Sequence, residues 1–131
     1  MDATRSKELR ASLERELKEE SARQSFTQKD RIAWLSDRLA EYLDRWLGFC
    51  EISEATMPQL VNSVLFAAVE IGADVLREEL RSDGSPPQIR KAWDRFDVAV
   101  TSMRSGGDKR RAMELRELLA NWRAAIASPA A

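Results

Sequence analysis

The sequence contains no histidine and a single cysteine, Cys50. Without histidine the chain cannot build a Ser-His-Asp triad, a Cys-His pair, an HExxH zinc site or the Glu-x-x-His motif of di-iron helical bundles. One cysteine cannot form an internal disulfide, nor a thiolate zinc or iron–sulfur site within one chain. We therefore expect no metal and no cofactor. The sparse cysteine usage is typical of a reducing compartment, which favours the cytoplasm.

Long apolar runs and phosphate-binding glycine motifs are missing as well. The longest apolar run, residues 64–69, is followed by Glu70 and falls far short of the roughly 20 residues that span a bilayer. The N-terminal segment is charged where a signal peptide needs an apolar stretch. The glycines form neither GxGxxG nor GxxxxGK[ST], so no cradle for a nucleotide phosphate is indicated. The sequence predicts no membrane partner.

Charge is nearly balanced overall but uneven along the chain. The net charge of −1 argues against a protein built mainly to hold nucleic acid. Residues 51–84 carry two basic and seven acidic side chains, whereas residues 85–131 carry nine basic and five acidic ones. This asymmetry favours the oriented docking of a partner, or of a second copy of the chain.

Helical periodicity is the dominant positive signal. Apolar residues recur at spacings of three and four between the proline and glycine breaks. The fold class is therefore predicted to be all-α, an antiparallel bundle of four core helices plus a polar N-terminal helical arm. The arm is expected at residues 1–26, the bundle domain at residues 27–127 and a frayed tail at residues 128–131.

Five helices are predicted, and their boundaries follow from capping residues and breaks. The first spans about residues 3–24, the second about 28–47 after Thr27, and the third about 57–81 after Thr56. The fourth opens at the Ser-Pro-Pro of residues 85–87 and ends at the two glycines 106–107. The fifth follows Asp108 and continues to about residue 126.

The first and third predicted helices differ most in polarity. The first has only Leu9, Leu13 and Leu17 as a narrow stripe, so it is either a mobile arm or docks through one thin seam. The third is apolar around most of its circumference, which places it centrally. Glu70 and Asp74 interrupt it one turn apart, and a buried carboxylate pair would have raised, coupled pKa values. We interpret them instead as a solvent-facing strip, and do not expect an enzyme.

The second predicted helix repeats an Asp-Arg pair every seven residues. The pairs are Asp30-Arg31, Asp37-Arg38 and Asp44-Arg45. On a helical wheel Trp34, Glu41 and Gly48 lie between the Asp and Arg columns, opposite the core seam. Glu41 lies three or four residues from Arg38 and Arg45, and such exposed pairs contribute only fractions of a kcal/mol. We interpret the columns as mostly solvated.

Trp34 is the residue that does not fit this charged face. Burying about 200 Å² of indole would stabilise the folded or bound state by up to about 5 kcal/mol, at ~25 cal/mol per Å². An indole left in water loses that stabilisation. Three covers are possible: Arg31 and Arg38 over the ring, the leucine stripe of the first helix, or a second protein chain. Tryptophan surrounded by arginine is the composition of a binding hot spot. The candidate partner-binding residues are Trp34, Arg31, Arg38, Glu41 and Arg45.

Three classes of function agree with the sequence. The first hypothesis is a non-catalytic protein–protein interaction module, acting as a regulator, an inhibitor or a scaffold subunit, with homodimerisation as one form. The second is a nucleic-acid-binding subunit, although acidic residues are interleaved with its basic ones. Its basic residues would be Arg104, Lys109, Arg110 and Arg111. The third is a sensor of small hydrophobic ligands, with a pocket among Phe66, Trp93, Phe96 and Trp122.

Overall fold

A computed structural model of the protein describes residues 3–24, 27–81 and 86–127. These ranges contain only helices, which confirms the all-α prediction. The α-helices are α1 (Ala3–Gln24), α2 (Gln28–Ile52), α3 (Met57–Val61), α4 (Val64–Arg81), α5 (Pro87–Ser102) and α6 (Lys109–Ala127). A short 3-10 turn, Met103–Ser105, follows α5. The predicted tail at residues 128–131 and the predicted cap at Ser85 lie outside the described residues.

Three helices begin at the predicted caps. The Thr27 hydroxyl accepts a hydrogen bond from the backbone N–H of Asp30 at 3.1 Å. The Asp108 carboxylate accepts one from the N–H of Arg111 at 2.9 Å. At Thr56 the backbone N–H donates to the side chain of Gln59 at 2.9 Å, as in a capping box. These bonds satisfy N–H groups that the first turn of a helix leaves without partners.

The third predicted helix is wrong as a single element, because it breaks between α3 and α4. The hydroxyl of Ser63 donates to the carbonyl of Leu60 at 2.6 Å and accepts from the N–H of Phe66 at 3.3 Å. The serine therefore ends one helix and caps the next. Serine competes with helical hydrogen bonding in this way, and apolar periodicity alone does not reveal it.

The second helix was predicted to end near residue 47, but α2 continues through Gly48 to Ile52. Glycine inside a helix is unfavourable by about 1 kcal/mol relative to alanine. Burial of Leu47 and Cys50 on the core side of α2 outweighs that penalty, since burying one aliphatic side chain contributes roughly 1.5–3 kcal/mol. Tertiary packing thus determines where this helix ends.

Helices α2, α4, α5 and α6 form the four-helix core, and α1 lies along the outer groove between α2 and α4. Contacts such as Arg31–Glu79 and Trp46–Phe66 show that α2 and α4 are antiparallel. Trp93 contacts Trp122 where α5 passes antiparallel to α6. The N-terminal helix is docked rather than free, because Leu17 is only 3% exposed.

The apolar stripes of the sequence predict that Trp46, Trp93 and Trp122 lie in the core, and all three are buried. The indole N–H of Trp46 donates to the carbonyl of Leu60 at 3.0 Å. That of Trp122 donates to the hydroxyl of Ser36 at 2.9 Å, so the one polar side chain buried within α2 is also satisfied. For the buried N–H of Trp93, the described residues provide no acceptor.

Close packing of α2 on α4 depends on Gly72. A Cβ atom there would lie 3.1 Å from Cδ1 of Leu39 and 3.6 Å from Cδ2 of Tyr42. Gly48 lies in α2, and a Cβ there would meet no atom within 4 Å. The two helical glycines therefore differ in what a side chain would encounter.

We expect opposite effects on stability from substituting these glycines. Gly72→Val overpacks the α2–α4 contact and should lower the free energy of unfolding by about 1–3 kcal/mol. Gly48→Ala should raise it by roughly 0.5–1 kcal/mol, because alanine has the higher helix propensity and meets no obstacle. Chemical denaturation followed by circular dichroism measures both changes. Shifts of the same sign would contradict the packing described for Gly72.

Candidate functional site

Three residues of the Asp and Arg columns of α2 pair with neighbouring helices. Asp37 pairs with Arg123 of α6 at 2.6 Å. On the other edge, Arg31 pairs with Glu79 of α4 at 2.6 Å. A further pair joins Asp44 and Arg116 of α6. The interpretation as a mostly solvated face with internal pairing is thus incomplete, because a wheel of one helix does not show that α2 has neighbours on three sides.

Trp34 lies in an open groove between α1 and α2 with a volume of about 420 Å³, which we call the Trp34 groove. It is lined by Leu13, Glu16, Leu17, Glu19, Glu20, Arg23, Trp34, Arg38 and Tyr42. The indole is partly buried, and Cζ of Arg38 lies 5.3 Å from the ring centroid. Two of the three predicted covers, an arginine and the first helix, are therefore present within the chain.

Arg38 is held in place over the indole. One of its terminal nitrogens pairs with the carboxylate of Glu41 at 3.0 Å, as the three-residue spacing predicts. Its Nε is buried, and the described residues offer it no acceptor. A buried N–H without an acceptor is unfavourable, so the hydrogen bonding of this guanidinium is incomplete within the described residues.

Arg31 belongs to a second groove, on the other flank of α1. This groove, which we call the Val75 groove, has a volume of about 460 Å³. It is lined by Lys18, Ser21, Ala22, Arg31, Leu35, Val75, Glu78 and Glu79. Of the five candidate residues, the structure therefore brings Trp34 and Arg38 into one groove and separates Arg31 from them. Glu41 and Arg45 are exposed on α2, and neither residue is among those that line the two grooves.

The heptad of α2 has two core positions, and the second, which contains Leu35, Tyr42 and Phe49, predicts that Tyr42 lies in the core. In the structure Tyr42 is only partly buried and lines the Trp34 groove. Burial raises the pKa of the Tyr42 phenol above its ordinary value of 10.0, an effect that nearby Arg38 opposes. The heptad indicates which face a residue occupies, but not how far α1 extends over that face.

Glu70 and Asp74 of α4 are both paired with arginine, so the predicted solvent-facing strip is only partly correct. Glu70, whose side chain is 18% exposed, accepts hydrogen bonds from Arg10 of α1 at 3.0 Å and from Arg104 at 2.7 Å. Asp74 bonds to Arg77 at 2.7 Å, and Arg77 also pairs with Asp97 of α5. The partners of Glu70 come from distant segments, which the periodicity of α4 does not reveal, whereas the partner of Asp74 lies three residues away on the same helix.

The predicted nucleic-acid corner is divided by these contacts. Glu70 holds the guanidinium of Arg104 in the bundle and raises its pKa, and Asn62 accepts a further bond from it at 3.0 Å. Lys109, Arg110 and Arg111 are exposed at the start of α6, and Arg110 is 3.5 Å from the carboxylate of Glu114. All four basic residues are thus exposed, but Glu70 and Asn62 already engage the guanidinium of Arg104.

The four aromatic side chains proposed to line a ligand pocket are buried in the core. Trp93 contacts Phe96 with ring centroids 5.7 Å apart, and Trp122 at 5.3 Å. Phe66 instead packs on Trp46, with centroids 4.7 Å apart. Direct ring contacts of this kind fill space between helices and stabilise the bundle.

Comparison of the chain with protein-family models, with curated proteins and with solved structures found no match. Within residues 3–24, 27–81 and 86–127, no three His, Cys, Asp or Glu side chains come together in a way that could hold a metal ion. The helices of those same ranges include none with the length and apolar character to cross a membrane. The candidate site therefore rests on geometry alone.

Titration of Tyr42 tests the geometry of the Trp34 groove. Tyr42 is the single tyrosine of the chain, so the ultraviolet absorbance of tyrosinate reports it alone. Because burial raises its pKa in the folded state, tyrosinate should form at a higher pH in the native chain than in denaturant. The folded state should accordingly lose stability as the pH rises above 10.0, where the unfolded chain ionises first. Identical titration curves in both states would show that Tyr42 is fully solvated.

Proposed function

We propose that this chain is a non-catalytic protein–protein interaction module that binds its partner through the Trp34 groove. The observation that carries the proposal is the grouping of Trp34, Arg38 and Tyr42 in an open groove of about 420 Å³. Tryptophan, tyrosine and arginine are the side chains most enriched at binding hot spots. Its role as a regulator, an inhibitor or a scaffold subunit then follows from what the partner does.

The arrangement of the groove suits an anchoring contact. Leu13 and Leu17 supply apolar walls beside the indole. The rim carries charge of both signs, from three glutamates and from Arg23. An apolar core surrounded by a polar rim is the usual anatomy of a protein–protein interface. An apolar side chain that entered the groove would remove the exposed part of the indole from water, which is favourable in proportion to the area covered.

The pairing of charged groups supports a non-catalytic role. Glu70 and Asp97 bind arginines that belong to other segments of the fold. Groups paired in this way stabilise helix contacts, whereas a general acid or base needs a proton that can be exchanged with a substrate. The buried free thiol of Cys50, whose pKa is raised by burial, is consistent with the cytoplasm as the proposed location.

Photo-crosslinking in the native host identifies what occupies the groove. A photoreactive residue at Glu41, which is exposed on α2 and pairs with Arg38 of the groove, should yield a discrete adduct with one protein or with a second copy of the chain. The matched control is the same residue at Lys91, exposed on α5. Equal adducts from both positions, or none from Glu41, would contradict the proposal.

Substitution of Trp34 then measures the contribution of the anchor. Trp34→Ala should weaken binding of the crosslinked partner by about 30-fold or more, which corresponds to a hot spot of about 2 kcal/mol. Phe49→Ala removes another partly buried aromatic of α2 that is not among the groove residues, and should change binding by less than about threefold. Titration calorimetry measures both affinities, and circular dichroism checks that both variants are folded. Equal losses of affinity for the two variants would show that Trp34 is not part of the interface.

A further inference from the structure

We infer that α1 is a displaceable ligand held in cis, and that the partner of this chain is an amphipathic helix that replaces α1 in the groove between α2 and α4. This inference rests on the proposed function, because it names the class of partner for the same surface. Four observations carry it: the seam of α1, the two flanking grooves, the unpaired guanidinium nitrogen and the charges along α4.

The seam that holds α1 is thin. Leu17 is 3% exposed, Leu13 is only partly buried and Leu9 is 50% exposed. One turn beyond Leu17 the seam contains Ser21, which is 3% exposed. Its hydroxyl donates to the carbonyl of Lys18 in the same helix at 3.0 Å, so it forms no hydrogen bond that ties α1 to its neighbours. A single fully buried leucine therefore anchors a 22-residue helix.

The space around α1 is incompletely filled. The Trp34 groove of about 420 Å³ runs along one flank of the helix and the Val75 groove of about 460 Å³ along the other. Ala22 lines the Val75 groove, where Leu35 and Val75 supply apolar surface from α2 and α4. The buried Nε of Arg38 has no acceptor among the described residues. A helix with larger apolar side chains would fit this surface better than α1 does.

The carboxylates of α4 determine which charges the partner helix needs on the side that faces α4. Arg10 of α1 pairs with Glu70 at 3.0 Å, and Lys18 pairs with Glu78, also at 3.0 Å. The same contacts show that α1 runs parallel to α4, and we expect the partner helix to take the same direction. The partner helix is therefore cationic at positions about two turns apart along the α4 edge and carries an unbroken apolar seam.

A second copy of the chain is a poorer occupant than such a partner. Its α1 would bring the same serine and alanine into the seam, and so would gain no contact over the α1 already present. The short connection to α2 also keeps the native α1 at an effective concentration on the order of millimolar. Each added buried leucine strengthens binding roughly ten- to a hundredfold, so two of them allow a helix to compete at micromolar concentration.

The test uses the full chain and a labelled peptide of residues 7–24 that carries Ser21→Leu and Ala22→Leu. Fluorescence anisotropy should show binding at micromolar concentration, and a scrambled peptide should not bind. Leu13→Ala in the full chain weakens the native seam and should tighten peptide binding by about tenfold or more, since the competing helix is released more often. Lys18→Glu should act in the same direction, through repulsion from Glu78 and without altering the core.

Strengthening the native seam should have the opposite effect. Ala22→Leu in the full chain fills the Val75 groove, and should weaken peptide binding by about tenfold. Ala11→Leu, at an exposed position of α1, is the matched control and should leave the affinity unchanged.

Equal affinity for all variants, or no binding even to Leu13→Ala and Lys18→Glu, would overturn the inference. If the Glu41 crosslink still identifies a partner in that case, the proposed function stands and only the displacement of α1 is refuted. If the peptide results hold but no partner crosslinks at Glu41, the displacement of α1 stands and the proposed function fails.

Discussion

The burial of one face of α2 is the constraint on which the rest of the structure depends. Leu35, Leu39 and Trp46 are almost completely buried on that face, and α2 packs against α1, α4 and α6 at once. At roughly 1.5–3 kcal/mol for each large apolar side chain, these contacts outweigh the penalty of Gly48 in mid-helix. The charge columns then follow from the same orientation, because residues at the two edges of the buried face reach arginines of α6 and carboxylates of α4. Those exposed bridges set the register of helices that the apolar face already holds together.

Packing quality differs sharply between the core and the N-terminal helix. Where α2 meets α4, a single Cβ at Gly72 would approach Leu39 to 3.1 Å. Where α1 meets the same two helices, open grooves flank it and Ser21 takes up a buried position. Leucine side chains in those grooves would make the folded state more stable, if α1 served stability alone. The loose fit instead suits a helix that yields its place to a better one, which is why the proposed interaction surface and the displaceable helix form one account.

The sequence predicted the helices, their caps at Thr27 and Asp108, and the buried tryptophans, because these depend on local periodicity and on residue type. It did not predict the break at Ser63, where a hydroxyl bonds to a neighbouring backbone carbonyl in competition with the helix. Nor did it predict the partners of Glu70, which come from segments far away along the chain. For the candidate site, the pattern singled out Trp34 as anomalous and named both internal covers. The grooves themselves depend on how α1 lies against α2 and α4, a relation that no single helix encodes.

Native-state hydrogen exchange tests the central claim most directly, namely that α1 is held far less firmly than the helices beneath it. The amides of α1 should exchange through a local opening whose free energy lies at least about 2 kcal/mol below that of global unfolding, while those of α2 and α4 exchange only with the whole domain. Leu13→Ala should lower the opening free energy of α1 further. The amides of α2 and those of α4 should still report the same free energy as each other. Protection of α1 equal to that of α2 would show that the N-terminal helix is an integral part of the core, and would contradict the account.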